Sequence, residues 1–398
     1  MASSNDRILT THVGSLPRPA DLLDVMRAKY NPDSPSPPAG QGEGAYDEAA
    51  LAAKVRQTVI DTVATQARLG IDIVSDGEQG KVGFFAYVRE RLAGFELGEA
   101  EPFEVAMGRS KEVRAFPEYY ERYNARRSGP RVGTSRPVKC VGPITYQGHA
   151  ALQADMDNLK AAMAMAGVDR GFMPAVAPKG VGKNEYYPSE EAYVEALSEA
   201  LREEYIAILD AGFDLQLDDA WLTNLYGQDD ISDLQHMRAQ AEKYVELLNH
   251  ALRGLPQERL RFHTCYGINE GPRVYDVPFE HYIDIMLKVN AGAYSFEAAN
   301  PRHEHEWHLW ETVKLPEGKK LIPGMITHST NVVEHPELVA DRICRFAGAV
   351  GRENVIAGAD CGYSSNASYE TDIPLSVVWE KFKLLAQGAE IASRRLWR

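Results

Sequence analysis

Eight short β-branched or apolar runs alternate with long amphipathic stretches, and that alternation constrains the fold more than any single motif in the chain. The runs are "RILTTHVGS", "IDIVSDGEQ", "RPVKCVGPIT", "FDLQLDDAW", "RLRFHTCYG", "GAYSFEAAN", "KLIPGMITHST" and "NVIAGADCG". Between them, "EEAYVEALSEALREEYIAILDAG" and "LQHMRAQAEKYVELLNHALRG" space apolar residues at helical intervals and close near a glycine. The stretch from Pro336 to about Val350 and the tail after Pro374 read as further helices. A strand-then-helix unit repeated in this way predicts an α/β chain wound as a (β/α)8 TIM barrel. A doubly wound open sheet is the competing arrangement, but no GxGxxG opens a helix after the first strand.

A chain of 398 residues that is 44% hydrophobic can bury a large core, and the reading is one domain over residues 1–398. Two segments depart from the barrel pattern. "KYNPDSPSPPAGQGEGAY", about 31–47, is rich in Pro, Gly and Ser and reads as a surface loop. Residues from about 98 to 136, carrying "YYERYNARRSGPR", are an insertion between the second and third strands. An insertion after a barrel strand sits on the carboxyl-terminal, catalytic face, so it is either a lid or decoration without substrate contact. The formal net charge of −14 argues against nucleic acid and anionic membranes as partners. No apolar run approaches the roughly 20 residues that span a bilayer, and "MASSNDRILTTHVGS" lacks a signal-peptide layout. Four cysteines make no disulfide framework, which points to reduced thiols and a cytoplasmic location. A homo-oligomer stays open.

The strand candidates share a peculiarity: their carboxyl ends are polar and ionisable. They carry His12 and Ser15, Asp76 and Glu78, Thr145, Asp218 and Asp219, His263 and Cys265, Glu297, His328, and Asp360 and Cys361. Buried parallel strands are apolar along their length, and a barrel enzyme keeps its reactive groups at this rim. Strand ends also turn polar merely by exiting to solvent, but that accounts for one or two such residues rather than the whole set.

Within it, His263, Cys265, Glu297 and Cys361 have the chemistry of a zinc site, since Zn²⁺ takes imidazole, thiolate and carboxylate in tetrahedral geometry. His263 and Cys265, two apart in a strand, face the same way. The competing reading is a buried histidine and two inert thiols, because HxC occurs often by chance; strand-end placement in one barrel favours zinc. Cys140 and Cys344 have no such company and read as core. "NPRHEHEWHLW" holds His303, His305 and His308; a second metal site is the minor reading, a solvated helix start the major one. Two thiolates already neutralise Zn²⁺ and weaken its power to acidify water, so the set suits a thiol substrate held as thiolate, with Glu297 yielding as the sulfur arrives. The expected reaction is S-alkylation, in which that sulfur attacks an electrophilic carbon of a second small molecule.

These residues also carry a resemblance. "THVGSLPRP", "SDGEQGKVGFFAYVRERLAGF", "VGPIT", "LQLDDAWL", "HTCYG", "SFEAAN", "THSTN" and "ADCG" recur in order as in the catalytic half of the cobalamin-independent methionine synthase family. That resemblance implies a TIM barrel with zinc held by His263, Cys265, Glu297 and Cys361. It implies Ser15, Glu78 and Asp218 as contacts to the amino acid part of homocysteine, with Asp219 beside them, and His328 near the family's proton donor. The chain departs from the long synthases in reading "YQGHAAL" after "GPIT" and "DDAWL" for "DEPAL", which speaks against methyltetrahydrofolate as donor. "INEGPRVYD" and "NPRHEHEW" resemble the single-barrel members, which include short methionine synthases and epoxyalkane–coenzyme M transferases. Two other classes remain: a zinc hydrolase or lyase using metal-bound water with Glu78 or Asp218 as base, and a non-catalytic binding barrel.

Overall fold

Parallel strands buried on both faces must be apolar throughout, and short runs of that kind do form the main sheet. The computed structural model describes residues 5–31, 47–99, 110–127, 129, 131–133, 136–227, 234–268 and 270–397. The expected surface loop at 31–47 and the stretch 100–109 of the insertion lie almost wholly outside these residues. The strands are β1 (Leu9–Thr10), β2 (Leu92–Leu97), β3 (Val138–Tyr146), β4 (Phe172–Val176), β5 (Lys183–Asn184), β6 (Asp214–Asp219), β7 (Leu260–Thr264), β8 (Ala293–Phe296), β9 (Lys320–Ile326) and β10 (Ile356–Ala359). Seven of them make one parallel sheet in the order β1-β10-β9-β8-β7-β6-β4. Helices Glu48–Arg68, Glu190–Asp210, Leu234–Ala251, Pro336–Val350 and Leu375–Leu396 fall where the periodicity places them or close to it.

β1 and β4 stand at opposite ends of the strand order, yet Leu9 and Phe172 share one buried cluster with Ile73, Ala293, Ile322 and Ile356. Such a meeting requires the sheet to curl. Isolated parallel bridges join Thr11 to Ile73 and Val74 to Gly171, next to the two edge strands. The "IDIVSDGEQ" run is therefore present as these bridges rather than as a full strand. Arg261 of β7 crosses the curl: its guanidinium lies 3.8 Å from the Phe172 ring centroid and donates to Thr11 Oγ1 (3.1 Å) and the His12 carbonyl (2.8 Å).

One strand expectation is corrected. "RPVKCVGPIT" does not enter the main sheet; it forms β3, antiparallel to β2 and flanked by β5 in a separate three-stranded sheet. Its burial alternates, with Val138, Cys140, Ile144 and Tyr146 inward and Val141, Pro143 and Thr145 outward, the signature of a sheet with one wet face. The place in the main sheet belongs to β4, "FMPAV", all five residues of which are buried. Pro174 hides this strand from a sequence reading because proline cannot donate to a ladder.

The small sheet is anchored by charge. Arg91, just before β2, pairs with Glu204 of helix Glu190–Asp210 at 3.0 Å and also with Asp155, while Tyr146 (2.8 Å) and Tyr87 (3.3 Å) donate hydroxyls to Glu204. Glu204 is fully buried and Arg91 only 4% exposed. Breaking one side of such a pair leaves the other charge dry and short of partners. Glu204→Ala should cost about 3 kcal/mol of unfolding free energy by chemical denaturation; a loss below about 1 kcal/mol would show the bracket to be incidental.

Candidate metal centre

Three sulfur and nitrogen donors from two distant parts of the chain meet at the carboxyl end of the sheet. His263 lies in β7, Cys265 just beyond it and Cys361 just beyond β10. The two sulfurs are 3.1 Å apart, and a donor atom of each of the three residues lies within 4.8 Å of the others. His263 Nδ1 is 3.0 Å from Ser295 Oγ of β8, which orients the ring, and among the described residues the buried Nε2 has no hydrogen-bond partner. The Cys361 thiol donates to Cys265, and this contact holds Cys265 well below the ordinary thiol range while raising Cys361; the His263 ring adds to the lowering at Cys265. Burial works against a charged His263, but the Cys265 sulfur outweighs it and raises the imidazole. An orphaned imidazole nitrogen facing two sulfurs fits a tetrahedral soft cation, whose ligand atoms would sit about 3.5–4 Å apart.

Glu297, just past β8, is adjacent but held elsewhere. Its Oε1 accepts from the Tyr266 amide (2.8 Å), and its Oε2 meets Asn300 Nδ2 (2.8 Å) and Arg273 Nη2 (2.8 Å). It also groups with His328 and Asp360 in a second trio of potential ligands. Of the four residues expected to share an ion, the structure converges three and gives the fourth a guanidinium partner.

Beside the donors lies a cavity of about 300 Å³ lined by Ser15, Glu78, Asp218, Asp219, Phe84 and Phe85 as well as His263, Cys265 and Cys361. Glu78 adopts a left-handed backbone (φ 56°), rare for a residue with a side chain, and follows Gly77 in the same region (φ 67°). Arg18 fixes this turn by donating to the carbonyls of Glu78 (2.8 Å) and Lys81 (2.9 Å). The turned backbone leaves Glu78 Oε2 buried without a partner. Burial raises the Glu78 carboxyl, with Lys81 and Arg18 pulling back. Asp218 is pushed up to about 8, chiefly by burial, against the attraction of His263 and with Glu78 adding to the rise. Two dry carboxyls thus face a cavity next to the donor trio.

Other rim residues have different duties. Asp219 Oδ1 caps the following helix, accepting from the amides of Trp221 (2.9 Å) and Leu222 (2.7 Å), and Oδ2 takes the Tyr244 hydroxyl. His12 is buried against Gln66 (2.8 Å), and burial lowers it to about 3. His328 does not line the cavity; its Nε2 lies 3.2 Å from the Gly267 carbonyl, and burial, with Arg273 nearby, lowers it to about 4. Thr145 is exposed on the separate sheet. The histidine-rich segment is not a solvated face throughout: His303 is buried between Glu306 (2.8 Å) and Asp276 (3.1 Å) and stacks on Tyr266 at 4.2 Å, while His305 and His308 are exposed. These two carboxylates overcome the burial of His303 and raise it to about 9. Sequence reasoning missed Arg273, Tyr266 and Asn300 because they lie in loops, where nothing in the spacing shows what they face.

No protein-family model matches the chain. Over 395 residues it is 22% identical to a protein named methionine synthase from Saccharolobus solfataricus, covering 98% of this chain and 96% of that one. A methionine synthase from Thermococcus kodakarensis is 21% identical over 98% and 94% of the two chains. The solved structure of a B12-independent methionine synthase from Shewanella sp. W3-18-1, in complex with selenomethionine, superposes with a TM-score of 0.69 at 22% identity, over 98% of this chain and 99% of that one. At that identity the superposition speaks for the fold.

The raised Asp218 has a sign that can be measured. Its folded value of about 8 lies above the ordinary 3.8, so the stability it contributes is full below pH 4 and lost as pH rises through 8. In metal-free protein, Asp218→Asn should gain stability relative to the parent between about pH 4 and pH 8, read from denaturant midpoints. A difference that stays flat with pH would remove the perturbed carboxyl.

Proposed function

We propose that this chain, which resembles the B12-independent methionine synthases over nearly its whole length, is a zinc-dependent transferase that moves a methyl or alkyl group onto a thiol, with homocysteine the first candidate acceptor. The observation that carries the reading is the convergence of His263, Cys265 and Cys361 in the wall of a cavity that also presents Glu78 and Asp218. The curled sheet is read as a (β/α)8 barrel completed through residues 73–74, supported by the two bridges there and by the superposition above.

His263, Cys265 and Cys361 would hold the zinc, with Glu297 as a displaceable fourth ligand. The ion would supply a Lewis acid that keeps an incoming thiol deprotonated at neutral pH. Glu78 and Asp218 are suited to an α-ammonium group: an arriving cation favours their charged forms and offsets the desolvation that raises them. Ser15 lines the same cavity and would serve the α-carboxylate. His328 is read as the group nearest a proton-donor role, and burial, with Arg273 nearby, lowers it to about 4.

The mouth bears on the choice of donor. Phe84 and Phe85 pack edge to face at 4.5 Å, Phe85 reaches Trp221 at 5.8 Å, and Ala220 and Ile268 continue the lining. An apolar wall suits a small uncharged electrophile, which favours a second reading: opening of an epoxide by a thiol, as in epoxyalkane–coenzyme M transferases. In both readings a sulfur–carbon bond forms as a carbon–heteroatom bond breaks.

Metal analysis should find about one zinc per chain. X-ray absorption with homocysteine, coenzyme M or glutathione should then show one added metal–sulfur bond with the true acceptor; no change with any of the three would overturn the reading. Cys361→Ser should weaken metal binding by roughly 100-fold or more and abolish transfer while leaving the far-UV circular dichroism intact. Retention of full metal content would remove Cys361 from the centre.

A further inference from the structure

Arg273 leaves the loop after β7 in a left-handed backbone conformation (φ 58°), one of two non-glycine residues so placed among those described. Its amide donates to Glu112 Oε1 at 2.8 Å, and the same oxygen accepts the Tyr120 hydroxyl at 2.8 Å. Glu112 and Tyr120 belong to the insertion, in helices Lys111–Ala115 and Pro117–Arg127. From this pinned backbone the guanidinium reaches Asp276 (2.8 Å) and Glu297 Oε2 (2.8 Å) and lies 5.5 Å from the centroid of the Tyr266 ring. Arg273 is 5% exposed and the Glu297 side chain is fully buried, so water screens little of the pair. A guanidinium 2.8 Å from a carboxylate oxygen repels an arriving cation, so a carboxylate paired in this way is a poorer metal ligand than a free one.

We infer that Arg273 is a positioning residue for the fourth metal position: its grip keeps Glu297 weakly bound and displaceable, and the insertion maintains that grip through Glu112. This rests on the metal-centre reading. Releasing Glu297 would make it a stronger ligand and a stronger competitor of the incoming sulfur. The insertion thereby acts on the chemistry through Glu112.

The test uses full-length protein loaded with Zn²⁺ or with Co²⁺ as a spectroscopic reporter. Chelator competition gives metal affinity, and the sulfur-to-cobalt absorption gives thiol binding, with homocysteine and coenzyme M as probes. Arg273→Met should raise metal affinity and weaken thiol binding, each by roughly tenfold, because it removes a buried cation that repels the ion and leaves the Glu297 charge uncompensated, and Arg273→Lys should restore both toward the parent. Unchanged affinities in Arg273→Met would overturn the inference. So would a loss of metal that Arg273→Lys fails to restore, which would make Arg273 a prop for its loop. Should Arg273→Met not fold, Glu112→Ala must shift both affinities in the same directions by a smaller factor, and no shift would end the proposal. If the parent itself shows no thiol signal, the alkyl-transfer reading fails, while the metal affinities still decide the role of Arg273.

Discussion

Two buried sulfurs 3.1 Å apart, from residues 96 positions apart in the chain, set the terms for everything around them. Neither thiol can ionise alone in so dry a place without a cation or a shared proton to compensate it. The imidazole of His263 offers its unpartnered Nε2 to the same spot, with Ser295 fixing the ring from behind. Their meeting depends on β7 and β10 lying in one curled sheet, separated by β8 and β9. The curl in turn depends on Leu9 and Phe172 burying each other from opposite ends of the strand order. Fold and centre are thus one problem: the apolar cluster within the curl of the sheet helps bring the donors within reach.

Behind the donors, charge is balanced in layers. Glu297 answers to Arg273, Arg273 to Asp276, and Asp276 to His303, which Glu306 holds from its other nitrogen. A chain of alternating buried charges stays folded only if each member has a partner, and here each one does. The histidine-rich segment is therefore a support: two flanking carboxylates outweigh burial and raise His303, and its ring stacks on Tyr266, whose amide also holds Glu297. A ligand set backed in this way can exchange one member without rearranging the rest.

On the cavity side the balance is left incomplete. Glu78 keeps an unpartnered buried oxygen and Asp218 resists ionisation, although each has polar neighbours that tie down its backbone or one of its oxygens. Unmet polar demand in a cavity is what a ligand can satisfy, and a cationic group would satisfy both carboxyls. The left-handed turn at Gly77 and Glu78, braced by Arg18, stores that demand at a fixed place beside the sulfurs.

The sequence by itself determined which chemistry is available. Strand-end spacing picked out His263, Cys265 and Cys361, and helical periodicity placed the long helices, because both signals are local and repeat with a fixed geometry. It failed where local rules mislead: Pro174 disguised a fully buried strand, and the more β-branched "RPVKCVGPIT" took its place although its alternating burial belongs to a sheet with one wet face. Only the tertiary structure decided that Glu297 faces Arg273, that Asp219 caps a helix, and that His303 and His328 are buried. These depend on which loop side chains meet across the fold and how dry they become, and burial and pairing over long sequence distances leave no mark in residue order.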